Sequence, residues 1–329
     1  MWGRILQSIY KPKVESLTVV AVDNITLRDT RRDREVPVRI YYPRAEGSFP
    51  IIFFSHGAGG SKEAYSSLSC FWASCGYICI HPTHFGTDST TLIESGLQAV
   101  KKYINDPRVW PVRPQDISFL IDSLEELKHR IPPLKDTMDE ARIGISGSSY
   151  GAYVTMLLAG ATIDTPWEPG VSFGDRRASA FLGISPQGTG KYGLNPYSWS
   201  QIQAPMLMLS GTQDQGWDGE PASWRLEAFK YMHPGDKYQV LIEGAHHASY
   251  DENKVRGQAL HRLVTRNFKT SDADMADYWK RQKRIRTYVQ NASLPFWDAY
   301  LKHDDSAKEY LRSDALQVLS CGEISVFMK

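Results

Sequence analysis

The stretch that most limits what this chain can fold into is "PIIFFSHGAGG", residues 50–60. Consecutive residues of a strand point to opposite faces, so an unbroken apolar run needs cover on both sides. A parallel sheet with helices on both faces supplies that cover; a half-solvated antiparallel sheet would show alternation instead. The same texture returns at 77–82, 141–146, 179–185, 205–211 and 238–244. Helical patterning falls between these runs. In residues 113–130, Pro114 suits a first turn, and Ile117, Leu120, Ile121, Leu124 and Leu127 share one face. Residues 149–160 and 255–266 also predict helices.

Upstream, 17–22 and 36–42 read as strands, joined by charged "RDTRRDRE" as an exposed hairpin connection. Beyond Phe268 the pattern predicts no further strand. Residues 273–289 and 295–311 predict amphipathic helices whose aromatics (Tyr278, Trp279, Phe296, Trp297, Tyr300) pack back on the body. The expectation is one α/β domain over 1–329, with an N-terminal strand region at 1–35 and a helical C-terminal extension at 269–329.

A chain of 329 residues that is 42% hydrophobic can bury a large core, and its net charge of +1 gives no field for nucleic acid or an anionic membrane. The cluster Lys280, Arg281, Lys283, Arg284 and Arg286 reads as a solvated helix face. Cys70, Cys75, Cys79 and Cys321 match no zinc spacing, and Cys70 and Cys75 share a predicted helix that cannot close a disulfide between them. Reduced thiols fit a cytoplasmic protein. The first residues lack a signal-peptide core, and no apolar run is long enough for a membrane span. Cytoplasmic localisation is the expectation.

Chemistry concentrates in "ARIGISGSSYGAY", residues 141–153. Gly147-Ser148-Ser149-Tyr150-Gly151 fits Gly-x-Ser-x-Gly between an apolar strand and a small-residue helix. A nucleophile on so sharp a turn needs tiny residues two positions before and after it. Gly147 and Gly151 meet that need and single out Ser149. A helix opening there favours developing negative charge.

A serine nucleophile needs a base and an orienting acid, which on such a sheet follow in the order Ser, Asp or Glu, His. "LSGTQDQGWD" offers Asp214, with Asp218 as a rival further from the strand end; "EGAHHASY" offers His246 and His247, which spacing alone does not separate. After the third strand, Gly57-Ala58-Gly59-Gly60 lets backbone approach a substrate oxygen. Ala58 N–H and Tyr150 N–H are the expected oxyanion donors, and His56 reads as structural. The loop lacks the pattern of a phosphate cradle.

"SHGAGG", "GISGSSYGAY", "LSGTQD" and "EGAHHASY", in this order, resemble the α/β-hydrolase fold and superfamily. More narrowly they are similar to serine esterases grouped with plasma-type platelet-activating-factor acetylhydrolases and dienelactone-hydrolase-like proteins. "HPTHFGTDST", "RPQDISFLIDSL", "FGDRRASAFLGISPQG" and "FWDAYLKHDDSAKEYL" look like that group too, so the resemblance runs from about Val36 onward. It implies Ser149 as nucleophile, Asp214 as acid and, through a Gly-Ala-x-His pattern, His247 as base, with an oxyanion N–H on Ala58. Two departures stand out. Ser148 occupies a position where histidine is commoner, and dienelactone hydrolases themselves use a cysteine nucleophile.

The expected activity is carboxylic-ester hydrolysis through an acyl-enzyme, with no metal or organic cofactor required. Small-molecule esters, short-chain or aromatic, are the expected substrates, with bulky or polymeric esters as the upper limit. Trp217 is a candidate pocket wall, and Trp167, Phe173, Tyr197 and Trp199 are further aromatics whose default is packing. The competing expectations are a serine peptidase or acylaminoacyl peptidase, a thioesterase, or a non-catalytic binding protein on the same fold.

Overall fold

The computed structural model describes residues 10–12, 16–252 and 272–329. The helix expected at 255–266 lies outside them. The chain enters as an antiparallel pair, β1 (Val19–Asp29) and β2 (Arg34–Pro43). β1 runs seven residues beyond the expected end at Val22, absorbing a bulge between Val22 and Ile25, so the hairpin connection is shorter than the charged stretch suggested. Then follow β3 (Phe49–Ser55), α1 (Ser66–Ser74), β4 (Ile78–Pro82), α2 (Ser89–Ile104), α3 (Val112–Asp122) and α4 (Leu124–Arg130). β5 (Met138–Ser148) leads into α5 (Tyr150–Leu158), and a small pair, β6 (Thr162–Ile163) and β7 (Val171–Ser172), sits apart from the main sheet. β8 (Ala178–Ile184), β9 (Met206–Gly211), α6 (Glu227–Tyr231) and β10 (Lys237–Ile242) complete the α/β part.

With a last strand, β11 (Ile324–Met328), the strands form a nine-stranded sheet in the order β1-β2-β4-β3-β5-β8-β9-β10-β11, parallel from β4 to β10. β3 shows why the run at 50–54 had to be wholly apolar. Ile51 and Phe53 point into one core and Ile52 and Phe54 into the other, all fully buried. Helices α3 to α5 cover the first face, and α1 with the C-terminal helices covers the second. The chain leaves β3 for β4 on one side and returns to β5 on the other, so the sheet's switch point lies between β3 and β5. Loops at the carboxyl ends of those two strands therefore flank a natural crevice.

The C-terminal region departs from the sequence expectation. It contains the helices α7 (Asp272–Leu301), α8 (Asp305–Arg312) and α9 (Ala315–Leu319), but it ends in a strand, β11 (Ile324–Met328). β11 pairs antiparallel with β10 and forms the sheet's edge. The extension is thus not wholly helical. Only Ile324 in it is buried and Ser325 interrupts its apolar residues, so the apolar-run criterion passed over it. Phe296 and Trp297 are fully buried, Trp72 Nε1 donates to Ser293 Oγ, and Tyr77 OH donates to Asp298. All four cysteines are free. Among the described residues, no helix is long and apolar enough to cross a membrane.

Candidate active site

β5 ends at Ser148, and α5 begins at Tyr150, leaving Ser149 at φ 55°, ψ −120°. That left-handed backbone is costly for a residue with a side chain, so its neighbours must hold it in place. They do so by close approach. A Cβ at Gly151 would lie 1.8 Å from the Ser55 carbonyl oxygen, and one at Gly147 would lie 2.3 Å from the Gly151 carbonyl oxygen. Ser149 N–H donates to Ile184 O at 2.8 Å, which ties the turn to β8.

Ser149 Oγ lies 3.0 Å from His247 Nε2, and His247 Nδ1 lies 2.9 Å from Asp214 Oδ1. Asp214, on the loop after β9, is fully buried and takes three further hydrogen bonds: Ser185 Oγ–H donates to Oδ2, and Arg225 Nε donates to Oδ1 at 2.9 Å and to the backbone carbonyl at 3.1 Å. Burial pushes the Asp214 carboxyl up, but Arg225, His247 and the hydrogen bonds outweigh it and hold the acid below the usual carboxylate range. With Asp214 ionised, His247 donates from Nδ1 and keeps Nε2 free to accept the serine proton.

His246 faces the other way. Its ring stacks on Tyr278 of α7 at 6.0 Å, and its Nε2 lies 3.4 Å from the Tyr278 hydroxyl. The two histidines that spacing left open are therefore separated by geometry, with His247 against Ser149. Asp218 is likewise away from the histidine, on the cleft wall, where it pairs with Lys101 and Lys191. Ser148 Oγ and Tyr65 OH are 2.6 Å apart, so the serine beside the turn is held by a buried tyrosine.

The Ala58 and Tyr150 N–H groups take no acceptor among the described residues, and both residues line the cleft that contains Ser149 and His247. His56 explains how Ala58 is aimed. His84 N–H donates to His56 Nε2, so the proton sits on Nδ1 and is donated to Gly57 O at 2.7 Å; Gly60 N–H donates to the same oxygen. In a trans peptide the Ala58 N–H points opposite to the Gly57 carbonyl. Arg113, buried and stacked over the Tyr150 ring at 4.8 Å, donates to the His56 carbonyl and to Thr87. Burial lowers its guanidinium to about 10.

A second Ser–His–Asp chain lies beneath this loop. Ser55 Oγ is 3.1 Å from His84 Nε2, and His84 Nδ1 is 2.8 Å from Asp116 Oδ2, with Arg32 and Arg34 each 2.9 Å from Asp116 Oδ1. Ser55, His84 and Asp116 are all fully buried and have no access to substrate. They brace the end of β3 instead. Triad chemistry needs the open cleft as well as the three residue types.

The cleft is narrow and open to solvent. Trp217 lines it, 40 % exposed, with Lys101 over its ring at 5.6 Å. Trp167, Phe173, Tyr197 and Trp199 do not: Trp199 is core, Phe173 packs against the core, and Trp167 and Tyr197 are exposed. Tyr192, Trp224, Gln187 and Arg225 line the cleft without having been singled out in the sequence. No local pattern marks them, because each reaches the site from a segment far from the serine in sequence. Among the described residues no cluster of His, Cys, Asp and Glu side chains could hold a metal ion.

A family model described as Chlorophyllase matches residues 7–110. That family consists of α/β-hydrolase-like esterases, and the match supports the hydrolase superfamily and a carboxylic-ester hydrolase activity. It spans β1 to α2 with the Gly57–Gly60 loop, and ends before Ser149, Asp214 and His247. No curated protein matches the chain.

Proposed function

We propose that this protein is a serine carboxylic-ester hydrolase of the α/β-hydrolase fold, working through an acyl-enzyme. Ser149 Oγ attacks the ester carbonyl while His247 Nε2 takes its proton; Asp214 holds the tautomer and balances the imidazolium. The Ala58 and Tyr150 N–H groups receive the oxyanion. His247 then protonates the leaving alcohol, and water attacks the acyl-serine by the same route in reverse. The observation that carries this reading is the hydrogen-bonded run from Ser149 through His247 to Asp214 beside two N–H groups without acceptors.

A narrow cleft that opens to solvent suits a short acyl chain or a single aromatic ring at the reacting end, with the rest of a larger ester outside. The name of the matched family points to chlorophyll, and a bulky ester of that kind would present only its reacting end here. The narrower kinship with plasma-type platelet-activating-factor acetylhydrolases and dienelactone-hydrolase-like proteins belongs to this proposal as well.

The test is hydrolysis of p-nitrophenyl esters from acetate to octanoate. Short chains should turn over fastest, and Ser149→Ala should lower kcat at least about 1000-fold. Activity retained in Ser149→Ala would overturn the mechanism. A wild-type protein inactive on every ester would point to the peptidase or binding-protein alternatives.

A further inference from the structure

One polar group in the cleft has no partner. Gln187 lines the same cleft as Ser149 and His247, is only 6 % exposed, and its buried Oε1 meets no donor among the described residues. A buried carbonyl oxygen without a hydrogen bond is costly, so such groups persist where something else supplies the donor.

The backbone around Gln187 is unusually well held. Ser185 O and Pro186 O each accept from Arg225 Nη1 at 3.0 Å. Two residues beyond, Thr189 N–H and Oγ–H donate to Glu227, and Thr189 O accepts from Trp224 Nε1 at 2.8 Å. At Gly188 a Cβ would lie 2.4 Å from the Trp224 carbonyl oxygen, so the chain is pressed against the 222–226 segment. Both sides of Gln187 are pinned while its own side chain is left unbonded. A fixed backbone that sets an unsatisfied carboxamide in the wall of a reaction cleft is the arrangement of a preorganised recognition group.

Resting on the ester-hydrolase reading, we infer that Gln187 is a specificity-determining residue that accepts a hydrogen bond from the substrate. The preferred substrate class is then an ester carrying a hydroxyl near the scissile group, in its acyl or its alcohol part, rather than a plain hydrocarbon ester. When such a hydroxyl binds, Oε1 gains the donor it lacks. When a deoxy ester binds, the oxygen stays unpaired as it was, so only the hydroxylated ester gains the hydrogen bond, and that gain separates the two.

The test compares matched pairs by pH-stat titration. The acyl side is read with methyl hexanoate against its 2-, 3- and 6-hydroxy derivatives. The alcohol side is read with propyl hexanoate against the ethylene glycol monoester. In the wild type at least one hydroxylated ester should exceed its deoxy partner about tenfold in kcat/KM, and in Gln187→Met that ratio should fall to near one. Gln187→Glu, which keeps an acceptor, should retain a ratio above that of Gln187→Met. A merely structural role would lower both members of a pair together and leave the ratio intact. A ratio near one for every wild-type pair, or one unchanged in Gln187→Met, would overturn the inference. Plain esters cleaved in a Ser149-dependent way without hydroxyl preference would leave the hydrolase reading standing and remove only this one. No cleavage of any ester, plain or hydroxylated, would remove both.

Discussion

Gly151→Ala tests most directly how the turn at Ser149, the proposed nucleophile, is built. The new Cβ would sit 1.8 Å from the Ser55 carbonyl oxygen, 2.6 Å from its carbon and 3.0 Å from the His56 oxygen. A comfortable carbon–oxygen contact is about 3.3 Å, so β3 and the turn must part by about 1.5 Å. Neither side is a flexible side-chain end. Ser55 pairs with Gly147 in the sheet, and Ser149 is tied to Ile184. The displacement therefore passes along the chain from Ser55 through His56 to Ala58 and moves its N–H relative to Ser149 Oγ. A misplacement of about 1 Å costs on the order of 100-fold, and outright loss of one oxyanion donor costs roughly 100- to 1000-fold. We expect kcat on p-nitrophenyl butyrate to fall within that range while KM changes less, with about 1–3 kcal/mol of stability lost to overpacking. Steady-state kinetics alongside thermal denaturation would separate the two effects. Turnover within threefold of wild type at an unchanged melting temperature would refute the argument that close approach at Gly151 sets the site.

Three further outcomes follow from the same geometry. Arg225→Met strips the cation from Asp214 and the donors from Ser185, Pro186 and Gln215, and breaking such a buried pair costs about 3–5 kcal/mol, readable as a lower Tm. Because Arg225 helps hold Asp214 low, its loss raises the acid's pKa, and the acid limb of the kcat/KM profile should move to higher pH; an unmoved limb would count against the pairing. His247→Ala should approach Ser149→Ala in its kinetic defect and His246→Ala should not; the reverse result would show the geometry misassigned. Burial lowers His84 to about 4 and His81 to about 3 from an ordinary value near 6.5. Both are neutral in the folded chain where the unfolded chain takes up protons, so the stability they confer is present above about pH 6.5 and is lost as pH falls toward 4 and 3. Denaturant midpoints should decline from pH 6.5 downward, each histidine contributing about 1.4 kcal/mol per pH unit; a flat profile between 6.5 and 4.5 would refute their burial as neutral groups.

Much of the architecture could be read in advance, for a local reason. An apolar run such as Ile51 to Phe54 has to be covered on both faces whatever lies around it, and tiny residues at Gly147 and Gly151 are demanded by the turn itself. Strand β11 escaped because an edge strand pairs on one side only and needs no continuous apolar run, although the β-branched and aromatic "ISVFM" after Gly322 carries the signal. Helix α2 also went unseen: it carries Gly96 in a non-helical conformation and buries only Val100 and Ile104.

What the sequence by itself determined, then, is the covered sheet and the residue types able to do the chemistry, because strand period, turn sterics and chain order are properties of neighbours along the chain. Spacing left two histidines open and the Gly-Ala-x-His resemblance favoured His247, which the structure sets against Ser149; tertiary structure alone decided that Ser55, His84 and Asp116 form a sealed copy of the same hydrogen-bonded run, and that Arg225 and Gln187 reach the cleft. Those outcomes depend on distances between segments tens of residues apart. Such distances are set by how the two cores pack against the sheet, and no local pattern records them.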